Sequence, residues 1–390
     1  LDLNGLGIVI VGGGIGGLTA AVALARKGAR VRVLERADAI SEIGAGIQIS
    51  PNGVAVLRAL GLNEALERIG TRARTIELRD YCAGRSVLHF DLAKLNAFDS
   101  YRFVHRADLI GMLADSARNA GVDVRLSHEV VSIGDSNSPT VAIRDGTIEK
   151  AGLLIGADGI GSIVREFLNG RETPFFTGHT AWRAVVSSDR DMHGTVRVFM
   201  GPGRHVVTYP LRGGAAVNVV AVMEGCDWTD EGWSRTDAPV NLRDAFSDFC
   251  PEVRALLGRA QTVYLWGLFS HRFAPVWHSG RVAILGDAVH PMLPFLAQGA
   301  VMAIEDAWVL ADSLERAETA ETGLALYRRR RHRRVARVVA AASRNARYYH
   351  LRFPPFRRVA HKVLGLAETI APGAIFRRFD WLYGHDVTAG

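Results

Sequence analysis

Two short stretches carry residue types that can do chemistry. The first is LGIVIVGGGIGGLTAAVALARKGARVRVLER, residues 6 to 36, in which Gly12, Gly14 and Gly17 fit the spacing G-x-G-x-x-G and Gly13 and Gly16 thicken the run. Each of the three has a separate task. Gly12 allows a tight turn, Gly14 lets a pyrophosphate approach the backbone, and Gly17 lets a helix pack closely on a strand. The β-branched run Ile8 to Val11 reads as a short buried strand, Leu18 to Arg26 as a helix, and Arg30 to Leu34 as a second strand. Free N–H groups at the helix start would hold phosphate. Glu35 ends the second strand, about 20 residues on, where a ribose-binding carboxylate belongs. The plain alternative is a glycine-rich structural turn beside a surface Glu. A membrane span over Leu6 to Ala25 fits the length but not the five central glycines. No basic n-region or cleavage site precedes the stretch, so a secretion signal is not expected.

The second stretch is RHVVTYPL, residues 204 to 211. Strand alternation puts His205, Val207 and Tyr209 on one face. A His and a Tyr on one face can move a proton, and neutral His suits that work because its unperturbed pKa is about 6.5. A polar, solvated sheet face is the simpler reading of the strand by itself.

The elements that must position these residues follow from the rest of the chain. Its 390 residues are 48% hydrophobic and 22% charged, the range of a globular protein of two or three domains. The net charge of +7 suits an anionic cofactor or a small acidic substrate, and leaves nucleic-acid or membrane-surface contact open. Cys82, Cys226 and Cys250 are scattered without a C-x-x-C, so neither a disulfide framework nor a metal site is expected, and a reducing cytoplasm is the expected compartment. No other apolar run reads as a transmembrane helix.

The segment GAGIQISPNG, 44 to 53, reads as a Gly-rich loop, followed by a helix starting near Asn52. Residues 74 to 92 alternate as a hairpin, and 106 to 121 have helical spacing with Gly121 as the stop. VDVRL, VVSI and TVAIRD read as short strands, and residues 150 to 168 repeat the strand, Gly turn, helix pattern. Near residue 175 the character changes. TVRVFM, RHVVTYPL and AAVNVVAVM, separated by GPG and RGG, read as an antiparallel sheet. An α/β pattern returns at 281 to 314, and the chain is helical and basic from about 323. The tract YRRRRHRRVARVV, 327 to 339, reads as a helix with its arginines in solvent and Val335, Val338 and Val339 inward, and nucleic-acid or lipid binding is the competing reading. The outline is a discontinuous α/β cofactor domain interrupted by a β-rich segment over the cofactor's reactive end.

Three motifs in order, the glycine run at 12 to 17, GADGIGSIVR at 156 to 165 and RVAILGDAVHPMLPFLAQGA at 281 to 300, resemble the FAD-dependent aromatic hydroxylases, in particular the salicylate hydroxylase-like group. That group includes 3-hydroxybenzoate 6-hydroxylase and 6-hydroxynicotinate 3-monooxygenase. HRADL at 105 to 109 and GHTAWRAVV at 178 to 186 fit as well, so the resemblance spans nearly the whole chain. It implies an α/β fold, with a Rossmann-like FAD-binding domain, an inserted β-sheet substrate domain and C-terminal helices. The FAD domain would comprise 1–73, 102–175 and 268–345, the substrate domain 74–101 and 176–267, and the terminal helices 346–390.

The resemblance also assigns residues. Glu35 would bind the adenosine ribose with Arg36 beside it, and Arg106 would lie along the pyrophosphate and ribityl chain. Gly46, Gln48 and Val130 are placed at the cofactor with Gly12, Gly14, Gly16 and Gly17. Asp158 and Gly159 would serve both FAD and the nicotinamide donor; a strand-ending turn with a helix-capping Asp is the plain alternative, and the two are compatible. Gly286 and Asp287 would meet the ribityl hydroxyls, and Pro291 and Pro294 would shape the oxygen site. Gly299 and Ala300 would begin a helix whose N-terminus stabilises anionic reduced flavin. His205 and Tyr209 match a substrate-contacting pair, and Gln298 a position near the substrate. The implied activity is an NADH- or NADPH-using monooxygenase that hydroxylates a small phenolic aromatic acid with O2 through a flavin C4a-hydroperoxide. An FAD-dependent epoxidase or tailoring hydroxylase of a larger, non-phenolic molecule is the alternative, and a flavin-dependent redox sensor is a second. A homodimer is implied by resemblance only.

Overall fold

The computed structural model describes residues 1–40, 45–92, 100–188, 192–225, 228, 235–350, 359, 363 and 377–389. The chain starts with β1 (Gly7–Val11), α1 (Ile15–Ala25) and β2 (Arg30–Leu34), then β3 (Gly46–Ile49), α2 (Pro51–Ala59), α3 (Asn63–Ile69) and β4 (Gly70–Arg72). The hairpin β5 (Thr75–Asp80) and β6 (Ser86–Asp91) follows, then β7 (Arg102–His105), α4 (Arg106–Asn119) and β8 (Asp123–Arg125). Next come β9 (Val130–Ile133), β10 (Thr140–Ile143), β11 (Ile148–Lys150), β12 (Leu153–Gly156) and α5 (Ile163–Asn169). The long strands are β13 (Phe175–Ser187), β14 (Thr195–Gly201), β15 (Arg204–Leu211) and β16 (Ala216–Glu224). β17 (Thr236–Asp237), α6 (Pro239–Ala245), α7 (Pro251–Gly258), β18 (Val263–Ser270), β19 (His278–Ser279) and β20 (Val282–Ile284) lead to α8 (Gly299–Arg316), α9 (Ala320–Tyr349) and α10 (Asp380–Tyr383).

Two sheets dominate. One has the order β19-β20-β12-β1-β2-β8, parallel except for β19. Its central strands are buried on both faces, so they read as unbroken apolar runs rather than alternating ones. The other has eight strands in the order β17-β18-β13-β16-β15-β14-β5-β6, antiparallel except where β14 meets β5. Three-stranded sheets β11-β10-β9 and β3-β7-β4 complete the frame. The chain therefore has the expected α/β architecture with a second β-rich layer and C-terminal helices.

Three local expectations are corrected. α1 begins at Ile15 rather than Leu18, because Gly14 is the extended N-cap residue and Gly16 and Gly17 belong to the first helical turn. A Cβ on Gly17 would run into the carbonyl oxygen of Gly12, so the turn closes this tightly only without one. Of the stretch at 44 to 53, residue 44 lies outside the described residues, and the rest is not a loop throughout. Gly46–Ile49 pairs antiparallel with β7, which satisfies the backbone groups that a buried loop would leave unpaired. The arginines of the basic tract do not all lie in solvent. Val335 and Val338 pack inward as expected, but Arg331 is 1% exposed and Arg334 is half-buried.

Those two arginines close a buried ionic network. Arg331 binds Glu305 and, at 2.6 Å, Asp306. Arg334 donates to both Glu305 oxygens at 2.7 Å and to the carbonyls of Trp381 and Leu382. Asp306 accepts from His290 at 2.5 Å and from the backbone N–H of Gly286 at 3.1 Å. One network thus ties α8, α9 and α10 to the loop that begins at Gly286. Among the described residues, no helix is long and apolar enough to cross a membrane.

Candidate active site

A cavity of about 930 Å3 runs between the parallel sheet and the eight-stranded sheet. Its first part is a cradle built from loop ends. β1 stops at Val11, and Gly12 turns with φ +101°, where a Cβ would collide with the backbone of Ala157. Gly14 and Gly16 line the cavity at the start of α1. Glu35 holds the turn from the neighbouring strand, accepting from the N–H of Gly13 at 2.6 Å and of Ala37 at 2.9 Å. Arg36 and Gln48 line the wall, and the Tyr101 hydroxyl donates to Gln48 at 2.8 Å.

Farther along, Arg106 at the start of α4 and Asp287 line the same cavity. Burial lowers the pKa of Arg106 and raises that of Asp287, while their opposite charges partly restore each. Gly286, Pro291, Pro294, Gly299 and Ala300 complete this part. α8 is 18 residues long and begins at Gly299, so its N-terminal partial positive charge faces the cavity. Ala297 sits just before it in the left-handed region, φ +52°, on the cavity wall.

A dinucleotide fits these residues. The glycine turn excludes side chains where phosphates would approach, a buried guanidinium offsets their charge, and a helix N-terminus faces the far end. Six assigned residues do not line the cavity: Gly12, Gly17 and Glu35 shape the turn beneath it, and Asp158, Val130 and Gln298 stand behind the wall. Ser162 is the N-cap of α5, and Asp158 supports that helix start, accepting from the Ser162 hydroxyl at 2.5 Å and from the N–H of Ile163 at 2.8 Å. Val130 is buried in the core at the start of β9. Gln298 is 1% exposed, donates to Ser50 at 2.9 Å and accepts from Asn52 at 3.2 Å. Asn52 also donates to Glu305 at 2.7 Å, so Gln298 is coupled to the ionic network.

The second part of the cavity carries His205, Val207 and Tyr209, all on one face of β15 as strand alternation requires. The face is buried, not solvated. Burial, with His350 and His179 nearby, pushes His205 well below 6.5, so its ring is neutral. Burial pushes the Tyr209 hydroxyl up, so it stays protonated. The two therefore differ in role: His205 can accept a proton and Tyr209 can donate a hydrogen bond. Gly46 has a reason of its own here. A Cβ on it would meet the Tyr209 ring at 2.5 Å and Asn218 at 2.8 Å, and its N–H donates to Asn218 at 2.6 Å.

Sequence reasoning missed Arg183. It lies within the motif GHTAWRAVV, but strand alternation marks only its face, not its chemistry. The structure places it on β13, lining the cavity. Its guanidinium stacks 4.4 Å from the Trp266 ring centroid, and its Nε has no hydrogen-bond partner among the described residues. Burial lowers its pKa to about 10, so it remains cationic at neutral pH. His350 and Glu224 were missed as well. His350 Nε2 lies 2.6 Å from His205 Nδ1, and its Nδ1 lies 2.6 Å from Glu224. His350 follows the basic helix and carried no spacing signal. His179 joins the same cluster, with its Nε2 3.8 Å from the Glu224 carboxylate.

The family model described as an FAD binding domain matches residues 6–342. The chain belongs to this FAD-binding family. It is 37% identical over 389 residues to a 3-amino-4-hydroxybenzoate 2-monooxygenase of Streptomyces platensis, covering 97% of this chain and 96% of that one. It is 35% identical over 394 residues to 3-hydroxybenzoate 6-hydroxylase 1 of Aquipseudomonas alcaligenes, with 97% and 98% covered. Among solved structures, Klebsiella pneumoniae HpxO complexed with FAD and uric acid superimposes with a TM-score of 0.81 at 27% identity, covering 94% of this chain and 95% of that one. The chain is an FAD-dependent monooxygenase of the aromatic-hydroxylase kind.

Proposed function

We propose that this monooxygenase uses NAD(P)H and O2 to hydroxylate a small aromatic acid that carries a ring hydroxyl. The observation that carries the proposal is a single one. A neutral His205, a protonated Tyr209 and a cationic Arg183 line one buried cavity beside the FAD cradle. Bound FAD supplies electron transfer from the nicotinamide donor and activation of dioxygen. The chain supplies the rest. Glu35 and Arg36 would hold the adenosine end, Arg106 the pyrophosphate, Asp287 the ribityl hydroxyls, and the start of α8 the anionic reduced ring.

On the substrate side, the Arg183 guanidinium pairs with the carboxylate and fixes which ring edge points inward. Its stacking on Trp266 keeps the charge in place without spending its hydrogen bonds. His205 takes the proton of the ring hydroxyl, which raises the electron density of the ring. Tyr209 donates a hydrogen bond to the resulting oxygen. Val207, Val220, Val222 and Phe295 give this end apolar walls that exclude water.

Replacing Arg183 by Gln tests the carboxylate pairing. A charge-assisted hydrogen bond is worth roughly 1.5–3 kcal/mol, or about 10- to 150-fold in binding. KM for a hydroxybenzoate is expected to rise by about that factor, while KM for the corresponding phenol without a carboxylate changes little. Equal losses for both compounds would contradict the pairing. Turnover of a larger molecule lacking a ring hydroxyl, with none on hydroxybenzoates, would favour the tailoring-hydroxylase alternative.

A further inference from the structure

We propose that His205, His350 and Glu224 form a proton relay that carries the substrate's ring-hydroxyl proton out of the buried cavity to the protein surface. The proposal rests on the reading of the substrate as a phenol. If His205 took the proton and kept it, a fully buried imidazolium would form in an apolar pocket between two other imidazoles, His350 and His179. Burial and those neighbours both oppose the charge.

The geometry supplies the exit. His205 lines the cavity, and its Nδ1 meets His350 Nε2 at 2.6 Å. His350 Nδ1 meets a Glu224 carboxylate oxygen at 2.6 Å. His350 is almost fully buried, whereas the Glu224 side chain keeps 22% exposure. Glu224 lines a different opening, a surface depression shared with Pro202, Gly203, Arg204 and Met223. The three groups thus join the cavity to solvent through two short contacts. The sheet register holds the ends. His205 on β15 stands opposite Val222 on β16, and Glu224 is two residues farther along the same strand and face. The bridge from above is His350, just past the end of α9, with its ring against Phe295 and His205.

The step balances without an imidazolium. The O–H bond of the substrate breaks and its proton joins His205 Nε2. The Nδ1 proton of His205 passes to His350 Nε2, and the Nδ1 proton of His350 passes to Glu224. Both rings end neutral with their tautomers exchanged, and the negative charge has moved from the carboxylate to the ring oxygen. Glu224 then exchanges its proton with water, and the sequence runs backwards when the product's ring oxygen is reprotonated. Other titratable groups face this line from each element packed on it. His179 on β13 lies opposite Glu224, with its Nε2 3.8 Å from the carboxylate. Arg204 on β15 borders the same depression but is paired with Asp248 at 2.7 Å.

The test uses the oxidised FAD-loaded enzyme and no turnover. 3-Hydroxybenzoate and 3-amino-4-hydroxybenzoate are the probes, and the phenolate absorbance band is read from about pH 6 to pH 10, bracketing the pKa of about 10 of an unperturbed phenol. The wild-type protein is expected to ionise a bound probe well below that value. Glu224→Gln and His350→Gln are each expected to raise the ionisation midpoint by about one pH unit or more, with probe affinity above the midpoint retained. Glu224→Gln is the milder change and keeps the test valid if His350→Gln folds poorly. Wild-type midpoints in both variants, with a raised midpoint in His205→Gln, would overturn the relay and leave His205 acting alone. An unchanged midpoint in His205→Gln, or failure of both probes to perturb the flavin spectrum, would instead overturn the substrate reading and the relay with it.

Discussion

Replacing His205 by Gln is expected to lower kcat on a hydroxybenzoate by about 100- to 10,000-fold, the range for removal of a positioned acid–base group. The FAD content should stay at the wild-type level, because the cradle residues Gly14, Arg36 and Arg106 come from other elements. Burial drives His205 and Tyr209 in opposite directions, one towards the neutral base and the other towards the protonated hydroxyl. On the proposed reading, His205 is then the member of this pair that accepts the substrate's proton near neutral pH. Tyr209→Phe removes a hydrogen bond but not the base, so its effect on kcat should be the smaller. The measurement is steady-state product formation, with flavin content determined on the same samples. Equal losses from both substitutions would contradict the division of roles.

The second large effect is on stability. Replacing Arg331 by Ala is expected to destabilise the protein by about 3–5 kcal/mol, as when one partner of a buried ion pair is removed. Glu305 and Asp306 would be left buried, with His290 and Arg334 as their remaining charge partners. Arg333 on the same helix is exposed, and its replacement by Ala should change stability by no more than about 0.5 kcal/mol. Denaturant unfolding of the two variants makes the comparison. Similar values would show that the network contributes no more than surface charge. Its pH dependence has a definite sign. Asp306 is held at about 2, below its ordinary 3.8, by His290 and Arg331 acting against burial. Its contribution is therefore complete above about 3.8 and is lost as pH falls towards 2. The Gly286 N–H is bound to Asp306, so acid loosening should reach the cofactor loop as well.

This network also shows where the sequence stopped being informative. The parallel sheet was legible because β1 and β12 are unbroken apolar runs followed by glycine-marked turns. The antiparallel sheet was legible because three alternating runs sit between GPG and RGG turns. His205 and Tyr209 could be placed on one face by counting in twos. Long-range pairings offer no such count. Arg331 sits among eight basic residues of similar appearance, and only its partners on α8 separate it from Arg333. His350 joins His205 across 145 residues, and Gly46 is small because Tyr209 and Asn218 arrive from a distant sheet. Gln298 looked like a substrate residue, but its hydrogen bonds run to Ser50 and Asn52 behind the wall.

The central claim is that this cavity hydroxylates a phenolic aromatic acid. Its most direct test is NADH and NADPH oxidation by the FAD-loaded protein across a panel of hydroxybenzoates, aminohydroxybenzoates and hydroxynicotinates, with product and peroxide measured together. The expected result is that at least one acid stimulates oxidation and yields one hydroxylated product per nicotinamide consumed. Stimulated oxidation that yields only peroxide for every acid, or no stimulation by any of them, would contradict it.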